Sequence, residues 1–429
     1  MIVGLVSTLI FVVSLFLIFA EKLNRTITAM AGAVIMVAAG LVFDFYHESQ
    51  AVAAVDFNTL GLLLGMMILV ALLEPTGFFQ YLAVWAGRLS RGHPVRLLVL
   101  LGSVTTVLSM FLDNVTTVVL IAPVTILISE VLGVSAVPFL IAEALLSNTG
   151  GVATLVGDPP NVLIASAANL SFNDFITHSL PIVAVVWLVA LLLLRYLFRD
   201  ELDTPPPNAE AVMRLNPEEA LEDRATARRV LIVLLGAIGL FLVHHYLHIS
   251  PSFVALGAAA AGFVWVRPDV KATFERIEWS VLMFFGALFV MVGGLEAAGV
   301  MRAIAAVVAQ VQGWHPIVFG IVVIWVVAVL SAVVDNVPIT IALIPVIEGL
   351  KSAGMEVTPL WWALAFGAGF GGNGTIIGST ANIVVASLSE RTRTPITSVL
   401  WNKRGLPVML ATCAVASVLY ALLFPVLSR

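Results

Sequence analysis

Residues 2 to 20, 27 to 43, 57 to 73 and 175 to 194 contain no Asp, Glu, Lys or Arg. Each run approaches the roughly 20 apolar residues needed to cross a hydrocarbon core of about 30 Å. No water reaches that core to satisfy backbone N–H and C=O groups, so such runs must fold as helices. The first run has no basic stretch before it and reads as a retained span. With 60% hydrophobic and 11% charged residues, and mean hydropathy of +1.07, an ordinary soluble domain is excluded.

Two kinds of segment break this routine. Residues 97 to 112 and 114 to 129 are apolar arms separated by Asp113, each short for a span, which predicts a re-entrant hairpin. Residues 137 to 170 are interrupted by Asn148-Thr149-Gly150-Gly151 and Gly157-Asp158-Pro159-Pro160. Gly and Pro there remove helix propensity and backbone donors, so one span is expected to unwind within the membrane. The polar stretch 199 to 229, with Pro205-Pro206-Pro207, reads as a linker between a first unit, 1–198, and a second, 230–429. After it the order recurs: spans at 230–246, 249–266 and 279–295, arms around Asp335, a broken span at 359–389 and a last span at 405–426.

The recurrence holds residue by residue. Gly40 and Gly262, Glu74 and Glu296, Gly77 and Gly299, Asp113 and Asp335, Asn114 and Asn336, and Pro123 and Pro345 lie 222 apart. Thr154 and Thr375, Gly157 and Gly378, and Asn161 and Asn382 lie 221 apart. Shared hydrophobicity does not keep Asp, Asn and Pro in step, so the halves form an internal repeat. Five crossings per half invert the second relative to the first. The expected fold is therefore an all-α polytopic membrane protein of two inverted five-helix repeats. Arg25, Arg88, Arg91, Arg96, Arg195 and Arg199, then Arg267, Lys271, Arg276, Arg391, Arg393, Lys403 and Arg404, follow alternate spans. The positive-inside rule then puts the linker in the cytoplasm and both termini outside. Segments 74–95 and 296–314 match in position and are expected to lie along opposite interfaces as amphipathic helices.

The chemistry concentrates in two pairs of motifs. FLDNVTTVVLIAPVT at 111–125 and VVDNVPITIALIPV at 333–346 set Asp113-Asn114 and Asp335-Asn336 at the hairpin turns. A carboxylate within the membrane costs several kcal/mol unless paired, protonated or hydrated, and marks an ion or substrate path. The same aspartates also suit capping of the following arm. SNTGGVATLVGDPPN at 147–161 and GGNGTIIGSTAN at 371–382 place Asn148, Thr149, Asp158, Asn161, Asn373, Thr375, Ser379, Thr380 and Asn382 beside unwound backbone, where side chains and carbonyls coordinate polar solutes. Asp158 is matched in the repeat by Ser379, which makes it a candidate for a proton or cation. Lys and Arg are absent from 97 to 194, so the site is expected to lack a fixed basic residue and to suit a neutral polyhydroxy solute or a cation.

Other classes fail on residues. The net charge of −5 offers no basic surface for nucleic acid. Cys413 is the single cysteine, which excludes a disulfide or thiolate metal cluster within one chain. Leu155-Val156 precede Gly157-Asp158 where a GxGD protease signature needs a glycine, and no HExxH motif occurs. No enzyme, cofactor or metal role is expected.

DNVTT with APVT, GDPPN, DNVP with IPV and GGNGTIIGSTAN resemble the arsenite permease and P-protein branch of the ion transporter superfamily over nearly the whole chain. The resemblance implies a scaffold domain and a transport domain, substrate between the hairpin tips and elevator-type movement. It also implies the same polar residues named above; of these, Asp113, Asp335 or Asp158 is expected to exchange a proton, since desolvation favours the protonated form of a carboxyl. The resulting expectation is proton-coupled efflux of arsenite or antimonite across the cytoplasmic membrane, with or without a cytoplasmic ATPase subunit. The alternatives are a Na+/H+ antiporter or sodium-coupled anion carrier on the same scaffold, or a channel-like anion pathway.

Overall fold

A computed structural model describes residues 2–19, 23–300, 303 and 315–428. Among these the chain is helical, without a strand. The first half runs α1 (Ile2–Phe19), α2 (Arg25–Val42), α3 (Phe57–Leu73), α4 (Phe78–Ser90), α5 (Pro94–Ser109), α6 (Asn114–Leu132), α7 (Val137–Gly151), α8 (Pro159–Ala168) and α9 (Leu180–Leu197). The second runs α10 (Arg224–Leu247), α11 (Pro251–Val266), α12 (Trp279–Ala297), α13 (Pro316–Val333), α14 (Asn336–Ser352), α15 (Thr358–Gly371), α16 (Thr380–Ser389) and α17 (Ser398–Leu422). Eight helices of the described residues are long and apolar enough to cross a membrane, and the protein is a multi-pass membrane protein. Of the matched amphipathic segments, 74–95 contains α4, whereas most of 296–314 lies outside the described residues.

The polar residues that punctuate the apolar runs set the helix starts. Asn24 accepts from the Thr26 and Ile27 N–H groups and starts α2, Asp56 accepts from Asn58 and Thr59 and starts α3, and Ser250 caps α11. Both broken spans appear, as α7 then α8 and as α15 then α16. Hairpin length differs from expectation: α6 has 19 residues and is itself long enough for a span, because helix continues through Pro123 to the left-handed Gly133. Arm length therefore does not decide where the tips sit; packing does. The last helix likewise begins at Ser398, so Lys403 and Arg404 lie inside it.

The helices form two groups. In one, α3 packs on α11 and α2 on α12, with α1 and α10 flanking. In the other, α5 packs on α7, α13 on α15, α6 on α16, α14 on α8 and α9 on α17. Each hairpin thus leans on the broken helix of its own half and crosses to the second piece of the other. The hydroxyl of Ser109 donates to Ser147 O at 2.9 Å, and that of Ser331 to Ala368 O at 2.8 Å. These bonds fasten an arm to its broken helix identically in both halves. The linker is no loose tether: Leu202 and Val212 are buried, and the Glu222 N–H donates to Thr76 O at 2.9 Å. A Cβ on Gly77, whose φ is +74°, would stand 1.9 Å from Ala220 O, so both the left-handed backbone and the close approach demand glycine there.

Candidate substrate and ion site

The tips of both hairpins and the unwound stretches of both broken helices meet at one place. Asp113 begins α6, its Oδ1 accepting from the Thr116 N–H at 2.8 Å and its Oδ2 from the Thr116 hydroxyl at 2.5 Å. Asp335 begins α14, accepting from the Val337 N–H at 3.1 Å through Oδ1 and from the Thr380 hydroxyl at 2.6 Å through Oδ2. Both aspartates therefore cap, and both also face a cavity. The unwound segments are tied to the tips symmetrically. The Thr154 hydroxyl donates to Met110 O and that of Thr375 to Ala332 O. Asn161 donates to Gly151 O and Thr154 O at 3.0 and 2.8 Å, and Asn382 to Gly372 O and Thr375 O at 2.8 and 2.9 Å. An amide at this place supplies two donors to carbonyls that unwinding has orphaned.

The symmetry breaks at the centre. Asn336 Nδ2 donates to Asp158 Oδ2 at 3.0 Å. The corresponding pair, Asn114 and Ser379, do not bond directly, since the serine is shorter. Asn148 fills the gap: its Oδ1 accepts from Asn114 at 2.9 Å and from Ser379 at 3.1 Å. Its Nδ2 donates to Asn373 Oδ1 at 3.0 Å and Asn382 Oδ1 at 2.9 Å. Asn373 in turn donates to Thr149 Oγ1 at 3.2 Å. Asp158 is 1% exposed, and its Oδ1 is buried without a hydrogen-bond partner. A lone carboxylate oxygen in such surroundings is costly unless a proton or cation joins it.

A cavity of about 300 Å³ reaches this centre from between the two helix groups. Asp113, Asn114, Asp158, Asp335, Asn336, Ser379 and Thr380 line it; Asn148, Thr149, Asn161, Asn373, Thr375 and Asn382 lie behind and hold the loops. The cavity corrects one expectation: it contains fixed basic residues. Arg25 Nη1 lies 3.7 Å from Asp335 Oδ2 and 3.4 Å from the Thr380 hydroxyl, and Arg276 pairs with Glu74 at 3.2 Å. Both arginines belong to the other helix group. They are brought in by packing, and a search confined to the motif segments misses them. Glu74 was visible in the repeat with Glu296, but nothing local marked it, or Glu278, as cavity-lining. Glu143 is fully buried away from the cavity, bonded by Thr125 at 2.5 Å.

Carboxylates and amides gathered at helix breaks, in a cavity between two packed groups of membrane helices, define a membrane transporter. The chain belongs to the citrate transporter family (CitMHS), whose model matches residues 15–367. It is 38% identical to a 46 kDa membrane protein of Mycobacterium leprae over 99% of this chain and 100% of that one. An uncharacterized transporter of Mycobacterium tuberculosis is 38% identical over 97% of this chain and 98% of its own. Human P protein is 32% identical over 93% of this chain, which spans 57% of its length. Among solved structures, the Alcanivorax borkumensis YdaH transporter, described as having an unusual topology, superposes with a TM-score of 0.64 at 17% identity, covering 98% of each chain.

Proposed function

We propose that the protein is a secondary carrier that exports arsenite or antimonite from the cytoplasm in exchange for protons. The supporting observation is the make-up of the cavity: Glu74, Asp113, Asp158, Glu278 and Asp335 outweigh Arg25 and Arg276, with Asn114, Asn336, Ser379 and Thr380 interleaved. An excess of carboxylate disfavours an unaccompanied multivalent anion. Arsenous acid is largely neutral and offers hydroxyls that amides and hydroxyls recognise. Asp158, with one free oxygen, and the two tip aspartates exchange the proton. The solute sits between the tips, the group holding both hairpins moves as the transport domain against the α1–α3 and α10–α12 scaffold, and residues 199–229 stay cytoplasmic. Arg25 and Arg276 then put the mouth of the cavity on the cytoplasmic face.

The test is uptake of arsenite into everted vesicles or proteoliposomes under an imposed proton gradient. Gradient-dependent accumulation is expected; folded protein that gives none eliminates the reading. A sodium-coupled carrier of a carboxylate anion, or a Na+/H+ antiporter, is the second reading, favoured by the guanidinium of Arg25 beside Asp335 and by the family's description. Transport that depends on sodium and ignores the proton gradient selects it.

A further inference from the structure

A second cavity, of about 290 Å³, is lined on one wall by Phe285, Leu288, Val292 and Glu296 of α12. Each lies 222 residues after Leu63, Met66 and Val70 of α3 and Glu74 just past its end, which line the first cavity. The match extends to the mouths. Arg276 and Glu278 border the first cavity, and Ala54 and Asp56, 222 residues earlier, border the second. The two cavities are the same architectural space in inverted repeats. They differ in depth, since the first is lined by Asp113, Asp158 and Asp335 and the second by none of the three.

One contact in the wall of the second ties the two helix groups together. The Ser166 hydroxyl, on α8 of the hairpin-bearing group, donates to Asp56 Oδ2 at the start of α3. Asp56 also accepts from the Thr59 hydroxyl at 2.6 Å, which holds the carboxylate in place. The repeat puts Glu278 and Ser387 at the corresponding positions, 222 and 221 residues on. There the contact is open: Glu278 makes no capping bond to its helix, and Ser387 is exposed.

We propose that the second cavity is the alternate vestibule of the carrier, and that Asp56–Ser166 and Glu278–Ser387 are its two latches, one closed only while the other is open. This rests on the alternating-access reading above but not on the identity of the solute. The two helix groups cannot bring both serines to both carboxylates at once, because α8 and α16 belong to the same moving group and approach opposite ends of the scaffold. The two vestibules also differ in charge. Glu74 has Arg276 as partner, whereas the second cavity has Ala54 in that place, so Glu296 faces its vestibule without that arginine.

The latches are tested by cysteine cross-linking in the full chain, where native Cys413 is fully buried and silent to aqueous reagents. In the variant carrying Asp56→Cys, Ser166→Cys, Glu278→Cys and Ser387→Cys, oxidation is expected to give molecules with one crosslink or the other, counted by intact mass after capping free thiols. Molecules bearing both crosslinks, or a Glu278–Ser387 pair that never forms under either direction of a proton or a sodium gradient, overturn the proposal. If that variant does not fold, Asp56→Asn keeps a capping acceptor while weakening the latch. Maleimide labelling of Phe289→Cys in the second cavity is then expected to rise about threefold, and an unchanged rate refutes the latch. Failure to carry arsenite leaves both readouts intact and touches only the substrate assignment.

Discussion

Replacing Asn148 by Ala tests whether the buried amides act as one network. The substitution strands four groups: the Asn114 amide, the Ser379 hydroxyl, and the Asn373 and Asn382 side-chain oxygens. Their residues are 4%, 1%, 0% and 0% exposed, so water replaces the lost partner poorly, and least at Asn373 and Asn382, which lie behind the cavity lining. At about 1 kcal/mol for each stranded group, the low end of the range for buried polar atoms, the loss is about 4 kcal/mol. At about 2 °C per kcal/mol for a large domain, the midpoint falls by about 8 °C. The measurement is thermal unfolding of purified protein in detergent, followed by tryptophan fluorescence. Asn114→Ala, which removes one bond to Asn148 and leaves Ser379 on the same oxygen, is the comparison and should cost about 2 °C. An Asn148→Ala midpoint within about 2 °C of the unsubstituted protein, and no lower than that of Asn114→Ala, would refute the network.

Three further outcomes follow from the same geometry. A Cβ on Gly157 would stand 2.6 Å from Gly151 O and Ser109 O, and one on Gly378 2.6 Å from Gly372 O and 2.9 Å from Ser331 O. Backbone cannot swing aside, so either Gly→Ala change should cost about 1–3 kcal/mol, while Gly236→Ala, with nothing within 4 Å, should not lower the melting temperature. Asp335→Asn keeps a capping residue but removes the charge facing Arg25. It should cut gradient-driven uptake in vesicles at least about tenfold, the effect of losing about 1.4 kcal/mol, and unchanged coupled transport removes Asp335 from the mechanism. Gly77→Ala should push the linker's Ala220 away from residue 77 and break the Glu222 bond to Thr76 O, seen as faster limited proteolysis near Pro205-Pro206-Pro207.

The sequence alone determined the helical class, the order of spans and breaks, and the matched polar positions of the halves. Each of these is local: an uncharged run must be helical in lipid, a Gly-Asp-Pro-Pro must interrupt it, and a repeat offset survives any arrangement in space. Asp113 and Asp335 were legible as helix starts and candidate site residues for the same reason. Which residues share a cavity was decided by tertiary packing. Arg25 lies 310 residues before Asp335 and reads locally as a topogenic loop charge, yet α2 against α12 carries it to the second hairpin tip. Nor did the motifs disclose that Asn148 stands in for the missing reach of Ser379, or that Asp158 keeps one oxygen free. Those follow from side-chain length across an interface between halves, a distance that no spacing along the chain encodes.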